Sequence, residues 1–273
     1  MTQHDNADGA LAAAVSIARH FNSYVEGYYA QPTPQMFIGD AGGMAAAYSS
    51  EMTDIWLAAE HNAHGVFSKF MEQNGLPFGS LDKPKKTPTA GWHEPVGNEA
   101  VAVGEYGRLF DLIIIGQHSD DGRNVTAICK KALFEGGRPI LLAPRKPIEE
   151  LGQTIVIAWN GSTETARTIS LGMSLIEKAQ KVCVLTVEGG TVPGPSGEQV
   201  ALHLRLRGIK AEALMIEPSE RTTGEAVLEE ASALGADLVF KGAYTHSRLR
   251  QMVFGGATRH IMSASVLPVF MAH

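Results

Sequence analysis

At 273 residues, with 44% hydrophobic and 19% charged side chains, the chain has the composition of a folded globular protein large enough for one large domain or two ordinary ones. A net charge of −6 argues against bulk binding to nucleic acid, and no apolar run reaches the roughly 18 residues that a membrane span needs. Cys129 and Cys183 lie far apart with no C-x-x-C spacing, which argues against a disulfide framework or zinc ribbon and suits a reducing cytoplasm.

The chain opens without a basic flank ahead of its alanine-rich stretch, so it does not begin as a secretory signal does. The segment "ALAAAVSIARHFNSYVEGYYA" reads as a helix leading directly into a strand. A long helix follows at about 51–74, stopping at Gly75, inside an insertion that separates this strand from the next. "DLIIIGQHS" (111–119) is a buried strand ending on glycine, and "RPILLAPR" (138–145) is another, entered through proline.

The second half has the cleaner pattern. "TIVIAW" (154–159) is a β-branched run ended by Asn160-Gly161. A helix over 162–179 follows, with Ser162 as its cap and Ile169, Met173 and Ile176 at helical spacing. "KVCVLTV" (181–187) is the next strand, and a Gly/Pro-rich loop (189–197) leads to a helix near 198–207 and a strand near 210–216. A helix over 222–234 ends at Gly235; a strand (237–241), a helix from about Ala257 to Ser263 and a strand (268–271) complete the series. Strict alternation of buried strands with helices predicts an α/β fold with a doubly wound parallel sheet.

The halves repeat one another. "DLIIIGQHS" and "DLVFKGAYTHS" (237–247) share Asp-Leu, an apolar strand and a glycine, and each is followed by a helix-length segment and a proline-led strand. The predicted division is residues 1–147, a degenerate domain with a helical insertion, and residues 152–273. If the second strands of the two halves are aligned, Asn160 falls opposite Thr2, so the first half lacks its first, central strand in this chain. A mis-set start or a truncation of the chain is preferred to a sheet that lacks the strand, because an empty central slot leaves two rows of backbone groups unpaired.

In an open parallel sheet, ligands bind beyond the carboxyl ends of the strands at the reversal of strand order. In the second half that places Ala158, Trp159, Asn160 and Val187 together with the stretch that opens at Lys241 and Gly242. Residues 241–273 carry Lys241, Arg248, Arg250 and Arg259 and no carboxylate; with −6 for the chain, this +4 leaves −10 for residues 1–240. A local basic end on an acidic protein suits one small anionic ligand. Gly255-Gly256 before a helix exposes free N–H groups and the positive dipole end. His246 and Arg248 add charge, and Thr258 a hydroxyl.

"GAYTHSRLRQMVFGGATRHIMSASVLPVFM" resembles the C-terminal signature of the universal stress protein A family in its tandem two-domain bacterial form. The family pattern is a glycine, two residues, a glycine, nine residues, then glycine and Ser or Thr. Here the corresponding positions are Gly242, Thr245, Gly255 and Gly256, and "AWNGS" (158–162) has Asn160 where the family usually has Asp. The resemblance covers nearly the whole chain and is strongest over 154–273. It implies two Rossmann-like five-stranded sheets of order 3-2-1-4-5, self-association as a homodimer or as a pseudo-dimer of the two domains, and, as in one subgroup, ATP or another adenine nucleotide in the crevice, with Mg²⁺ if a triphosphate. Carried over by position, adenosine meets Ala158, Trp159, Asn160 and Val187. Ribose and phosphates meet Gly242, Thr245, Gly255, Gly256, Ala257 and Thr258. Asn160 lacks the carboxylate charge, Thr245 brings a β-branched side chain to a point of close backbone approach, and Gly256 removes a hydroxyl.

In the first half Cys129 stands where the later glycine belongs and Asp120-Asp121 repel phosphate, so that half is read as non-binding. His61 and His64, with His93-Glu94 nearby, have a spacing that can hold zinc, but histidines on a polar helix face are commoner and no metal site is expected. Cys129 and Cys183 are read as core residues. The P-loop, G-x-S-x-G and H-E-x-x-H motifs are missing. No catalytic residue is assigned. The expected function is a non-enzymatic, cytoplasmic stress-response binding or scaffold protein; the alternative is an ATP-dependent enzyme or switch, for which His246 is the lone candidate base.

Overall fold

A computed structural model describes residues 7–29, 44–79, 87–93, 103–117, 122–148, 150–243 and 256–273. In the second half, β5 (Thr154–Ala158), β6 (Lys181–Val187), β7 (Ala211–Ile216), β8 (Leu238–Gly242) and β9 (Val269–Ala272) are parallel and lie in the order β9-β8-β5-β6-β7. Numbered within that half, this is 3-2-1-4-5, the order implied by the resemblance. One apolar layer, beneath α8 (Thr223–Ala233) and α9 (Gly256–Ala264), contains Val156, Cys183, Val239, Ile261 and Met271. The opposite layer contains Ile155, Ile157, Phe240 and Phe270 beneath α5 (Thr163–Leu171), α6 (Met173–Ile176) and α7 (Gly197–Leu206). Alternate residues of each strand supply the two layers, as a period of two requires.

Local chemistry sets the ends of these elements. Ser162 caps α5 by accepting from the Thr165 N–H at 3.2 Å, and Thr222 and Glu225 form a reciprocal capping box on α8. Gly235 takes φ +69° to close α8, with the Ala236 N–H returning to the Ala231 carbonyl at 2.9 Å. The single helix predicted over 162–179 is instead two, broken at Gly172. A Cβ there would lie 2.2 Å from the Phe240 ring and 3.0 Å from Phe270, so only glycine fits against the stacked pair of rings. The Asp237 carboxylate accepts from the Gly152, Gln153 and Thr154 N–H groups, pinning the start of β5 to β8.

The first half holds α1 (Ala7–Phe21), β1 (Tyr24–Tyr28), α2 (Met44–Gln73), β2 (Thr89–His93), α3 (Val103–Tyr106), β3 (Ile113–Gly116), α4 (Gly122–Gly136) and β4 (Ile140–Ala143). Its strands do not share one sheet. β1 and β2 form a parallel pair by themselves, while β3 and β4 extend the larger sheet to seven strands in the order β3-β4-β9-β8-β5-β6-β7. Among the described residues β1 pairs only with β2 and β3 is an edge strand, so no strand stands in for the counterpart of β5 that would join them. Asp111, the counterpart of Asp237, is exposed.

The two halves meet where β4 runs antiparallel to β9, pairing Ile140 with Met271, Leu141 with Phe270 and Leu142 with Val269. Both apolar layers continue across this joint: Ile140 and Leu142 belong to one, Leu141 and Ala143 to the other. Helix α1 packs on the second of these through Ala13, Ile17 and Phe21. Lys178 of the second half donates to the His20 carbonyl at 2.8 Å and lies 4.5 Å from the Phe21 ring centroid, closing the C-terminus of α1.

Two outcomes follow from this joint. Leu141 is fully buried between the halves, so Leu141→Ala is expected to lower stability by about 2–5 kcal/mol. Urea unfolding followed by tryptophan fluorescence should move as one transition, since the joint belongs to both cores. The second concerns acid. Burial, then the nearby Lys178 charge, lowers the His20 pKa below 6.5, and its Nε2 is buried without a hydrogen-bond partner. The unfolded chain then binds more protons, so stability is lost as pH falls through about 6.5 and below. His20→Gln should flatten that loss in thermal melts between pH 7 and pH 5.

Candidate functional site

The strands of the second half end together at Ala158, Val187 and Gly242. Helix α9 precedes β9 and runs back along the sheet, so its first turn, Gly256 to Thr258, lies at the same end. Ala158 and Val187 belong to the apolar layer beneath α8 and α9. Gly224 allows α8 and α9 to pack closely, because a Cβ there would stand 3.0 Å from both the Ala257 carbonyl oxygen and the His260 Cβ. Gly256 is exposed with open space where a Cβ would go, and Thr258 is buried. The structure therefore brings Ala158, Val187, Ala257 and Thr258 to one end and one face of the sheet.

Other expected site residues have structural duties. Trp159 points to the opposite face, where it lies with Ile169, Met173, Val200 and Leu204 along a groove of about 330 Å³ between α5 and α7. Its Nε1 donates to the Pro195 carbonyl at 2.8 Å. The period of two decides this: Ala158 faces α9, so Trp159 cannot. The Asn160 Oδ1 accepts from the Thr165 hydroxyl at 2.7 Å and the Ser162 N–H at 3.2 Å, and its carbonyl accepts from the Val192 N–H at 2.9 Å. An amide oxygen fills the role of a helix-capping carboxylate here.

Gly242 is needed for packing. A Cβ on it would lie 2.5 Å from the Thr165 nitrogen and 2.7 Å from its hydroxyl, so β8 can end beneath the first turn of α5 only as glycine. Thr168 completes the clamp, donating to the Glu164 carbonyl and accepting from the Ala272 N–H. Thr245, His246, Arg248 and Gly255 lie outside the described residues.

Lys241 was visible in the sequence only as part of a basic segment. Along β8 it falls on the α9 face between Val239 and Ala243, both fully buried. Its own side chain is half-buried and reaches the strand end, where Nζ donates to the Gly242 carbonyl at 3.1 Å. Among the described residues no carboxylate pairs with it, and burial pushes its pKa down to about 8. A charged residue inside "DLVFKG" was the signal that could have singled it out.

The other candidates resolve differently. His64 stacks on Trp92 with centroids 5.0 Å apart, and His61 is exposed. Among the described residues no group of three His, Cys, Asp or Glu is placed to hold a metal. Cys129 and Cys183 are buried, and desolvation raises their pKa values to about 12 and about 11, which suits core residues rather than nucleophiles. In the first half, Glu26 is almost fully buried and accepts from the Tyr24 and Tyr106 hydroxyls, with His93 Nδ1 3.9 Å away. Burial, followed by these bonds, raises both tyrosine pKa values.

No family model and no curated protein matches the sequence. Among solved structures, a universal stress protein from Archaeoglobus fulgidus DSM 4304 superposes over 100% of this chain and 93% of that chain, with TM-score 0.69 at 14% identity. A universal stress protein from Archaeoglobus fulgidus covers 44% of this chain and 92% of its own, at TM-score 0.34 and 15% identity. A functionally unknown protein from Pseudomonas aeruginosa PAO1 covers 97% and 94%, at TM-score 0.47 and 11% identity. The full-length superposition defines the class of architecture: a Rossmann-like α/β fold. More particularly, it is the universal stress protein fold, here spanning both halves of the chain.

The close approach at the end of β8 makes a direct prediction. Gly242→Ala forces α5 away from β8 and should cost about 1–3 kcal/mol, read as a lower urea midpoint. Asn160→Asp, which preserves both acceptor contacts, should leave the midpoint nearly unchanged.

Proposed function

We propose that the chain is a non-enzymatic, cytoplasmic binding protein of the universal stress protein family, with an altered adenine-nucleotide crevice in its second half. The observation that carries the reading is the placement of Ala158, Val187, Lys241 and the first turn of α9 at one end and one face of the sheet. Ala158 and Val187 offer an apolar surface to a base. Lys241 and the α9 N–H groups offer positive charge to its phosphates. The residues present thus fit an anionic nucleotide, with Mg²⁺ accompanying a triphosphate. Residues 241–273 contain no carboxylate to oppose it.

The binding reading is preferred to turnover because Asn160 supplies no carboxylate and its amide oxygen is already engaged by Ser162 and Thr165. The β4–β9 joint is consistent with a pseudo-dimer of the two halves, and residues 1–147 and 152–273 are the proposed units.

Thermal shift and calorimetry with ATP, ADP, AMP and cyclic nucleotides, with and without Mg²⁺, test the reading. A saturable stabilisation is expected, of about 2.7 kcal/mol when free ligand reaches a hundred times Kd. Gly256→Val, which fills open space at the first turn of α9, should abolish it without lowering the melting temperature of the free protein. No response to any nucleotide would overturn the assignment.

A further inference from the structure

Lys241 stands at a position that the fold would fill with an apolar residue. Its neighbours on the same face of β8, Val239 and Ala243, are fully buried, and its partner on β9 is Met271. A methionine or leucine would complete the layer at no electrostatic cost. An ammonium placed there loses water on one side and, among the described residues, gains in return one hydrogen bond, to the Gly242 carbonyl. A cation kept at such a cost, at the end of the sheet where ligands bind, is accounted for if its counter-charge arrives with the ligand.

We infer that Lys241 is the specificity-determining cation of this crevice, pairing with the anionic group of the bound ligand so that phosphorylated adenosine is held in preference to adenosine. The inference rests on the nucleotide reading given above and names the residue that selects for charge within it. Alternation with Val239 and Ala243 puts Lys241 on the α9 face, and its ammonium lies at the last residue of the strand, the end at which α9 begins, so ammonium and helix terminus favour the same charge. Glu225, in the first turn of α8 beside α9, is held by the Thr222 N–H at 2.7 Å, and Arg259 and His260 follow one turn into α9; Thr258 is buried and Gly256 has no side chain, so between the end of β8 and the first three residues of α9 the described charged side chain is Lys241.

Proton linkage provides a second signature. With its pKa pushed down to about 8, the free lysine is partly neutral at pH 8, and an anion drawn onto it restores the proton. Binding should therefore take up a fraction of a proton near pH 8, and affinity should fall as pH rises from 7.5 to 9. Phosphate is already fully charged over that range, so the titrating group belongs to the protein.

The test is calorimetry with adenosine, AMP and Mg·ATP on the wild-type chain, Lys241→Met and Lys241→Arg. The wild type is expected to bind AMP and ATP at least about ten-fold more tightly than adenosine, as a charge-assisted hydrogen bond predicts. Lys241→Met should lose that preference by weakening AMP and ATP while leaving adenosine unchanged. It should also melt no lower than the wild type, because an apolar chain of similar length replaces a desolvated amine. Lys241→Arg should keep the preference and lose the pH dependence. If the wild type discriminates and Lys241→Met discriminates equally, the nucleotide reading stands and this inference falls. If Lys241→Met weakens all three ligands alike, or melts lower, the lysine is structural and the inference falls. If the wild type binds none of the three, the nucleotide reading fails first and takes the inference with it.

Discussion

Three residues on each side, Ile140 to Leu142 and Val269 to Met271, form the whole ladder between the two halves, and this short antiparallel joint determines the rest. Its residues alternate between the two faces of the sheet, so each apolar layer crosses it without interruption. Neither face of β9 is then left to solvent, and the strand that leads out of α9 is fixed on both sides. Because α9 is covalently tied to β9, the joint fixes the strand into which α9 leads, while the close approach of Gly224 to Ala257 fixes its first turn. The candidate crevice and the joint are two ends of one strand–helix unit.

The second constraint is the closeness of α5 to β8. Gly242 has no space for a Cβ, Thr165 approaches it through both backbone and hydroxyl, and Asn160 holds the Thr165 hydroxyl from the other side. Gly242 and Asn160 are expected from the sequence to touch a ligand; in the structure they brace, with Thr165, the turn from which a ligand would be reached. Glycine and a short acceptor are demanded by packing alone, so their presence says little about occupancy. The asymmetry between faces says more, since Trp159 is turned to the α5–α7 side and leaves the opposite face to Ala158 and Val187.

Much of the second half was legible because its signals are local. Alternating buried strands, the cap Ser162 and the closing Gly235 all act within a turn or two of chain. The requirement for glycine at 172, where the helix breaks, was not legible: it comes from Phe240 and Phe270, about 70 and 100 residues further on, whose rings occupy the space a side chain there would need. In the first half the sequence indicated a missing central strand, and the split between β1–β2 and β3–β4 agrees with it. That β4 would pair antiparallel with β9 carries no local mark, because an edge strand and a central strand of this length read alike. Of the site, positions along the strands could be placed by repeat and spacing, whereas the side to which Trp159 turns depends on register with the helices.

Glu26 in β1 and Lys241 in β8 are both ionisable residues set in strands, and comparing them sharpens the meaning of Lys241. Glu26 in β1 is nearly buried, but Tyr24 and Tyr106 both donate to its carboxylate and His93 lies within reach, so its charge is answered from inside the fold. Such a group is a structural element: it ties α3 to the β1–β2 pair, and removing it would leave two hydroxyls unsatisfied. Among the described residues, Lys241 in β8 is answered by a single carbonyl oxygen from its own neighbour. Core chemistry explains the first residue and leaves the second unexplained, and the second is the one at the carboxyl end of a parallel strand, in a segment free of carboxylates. A buried charge with its partners built in stabilises a fold, whereas one without them weakens it and persists where something outside the fold completes it.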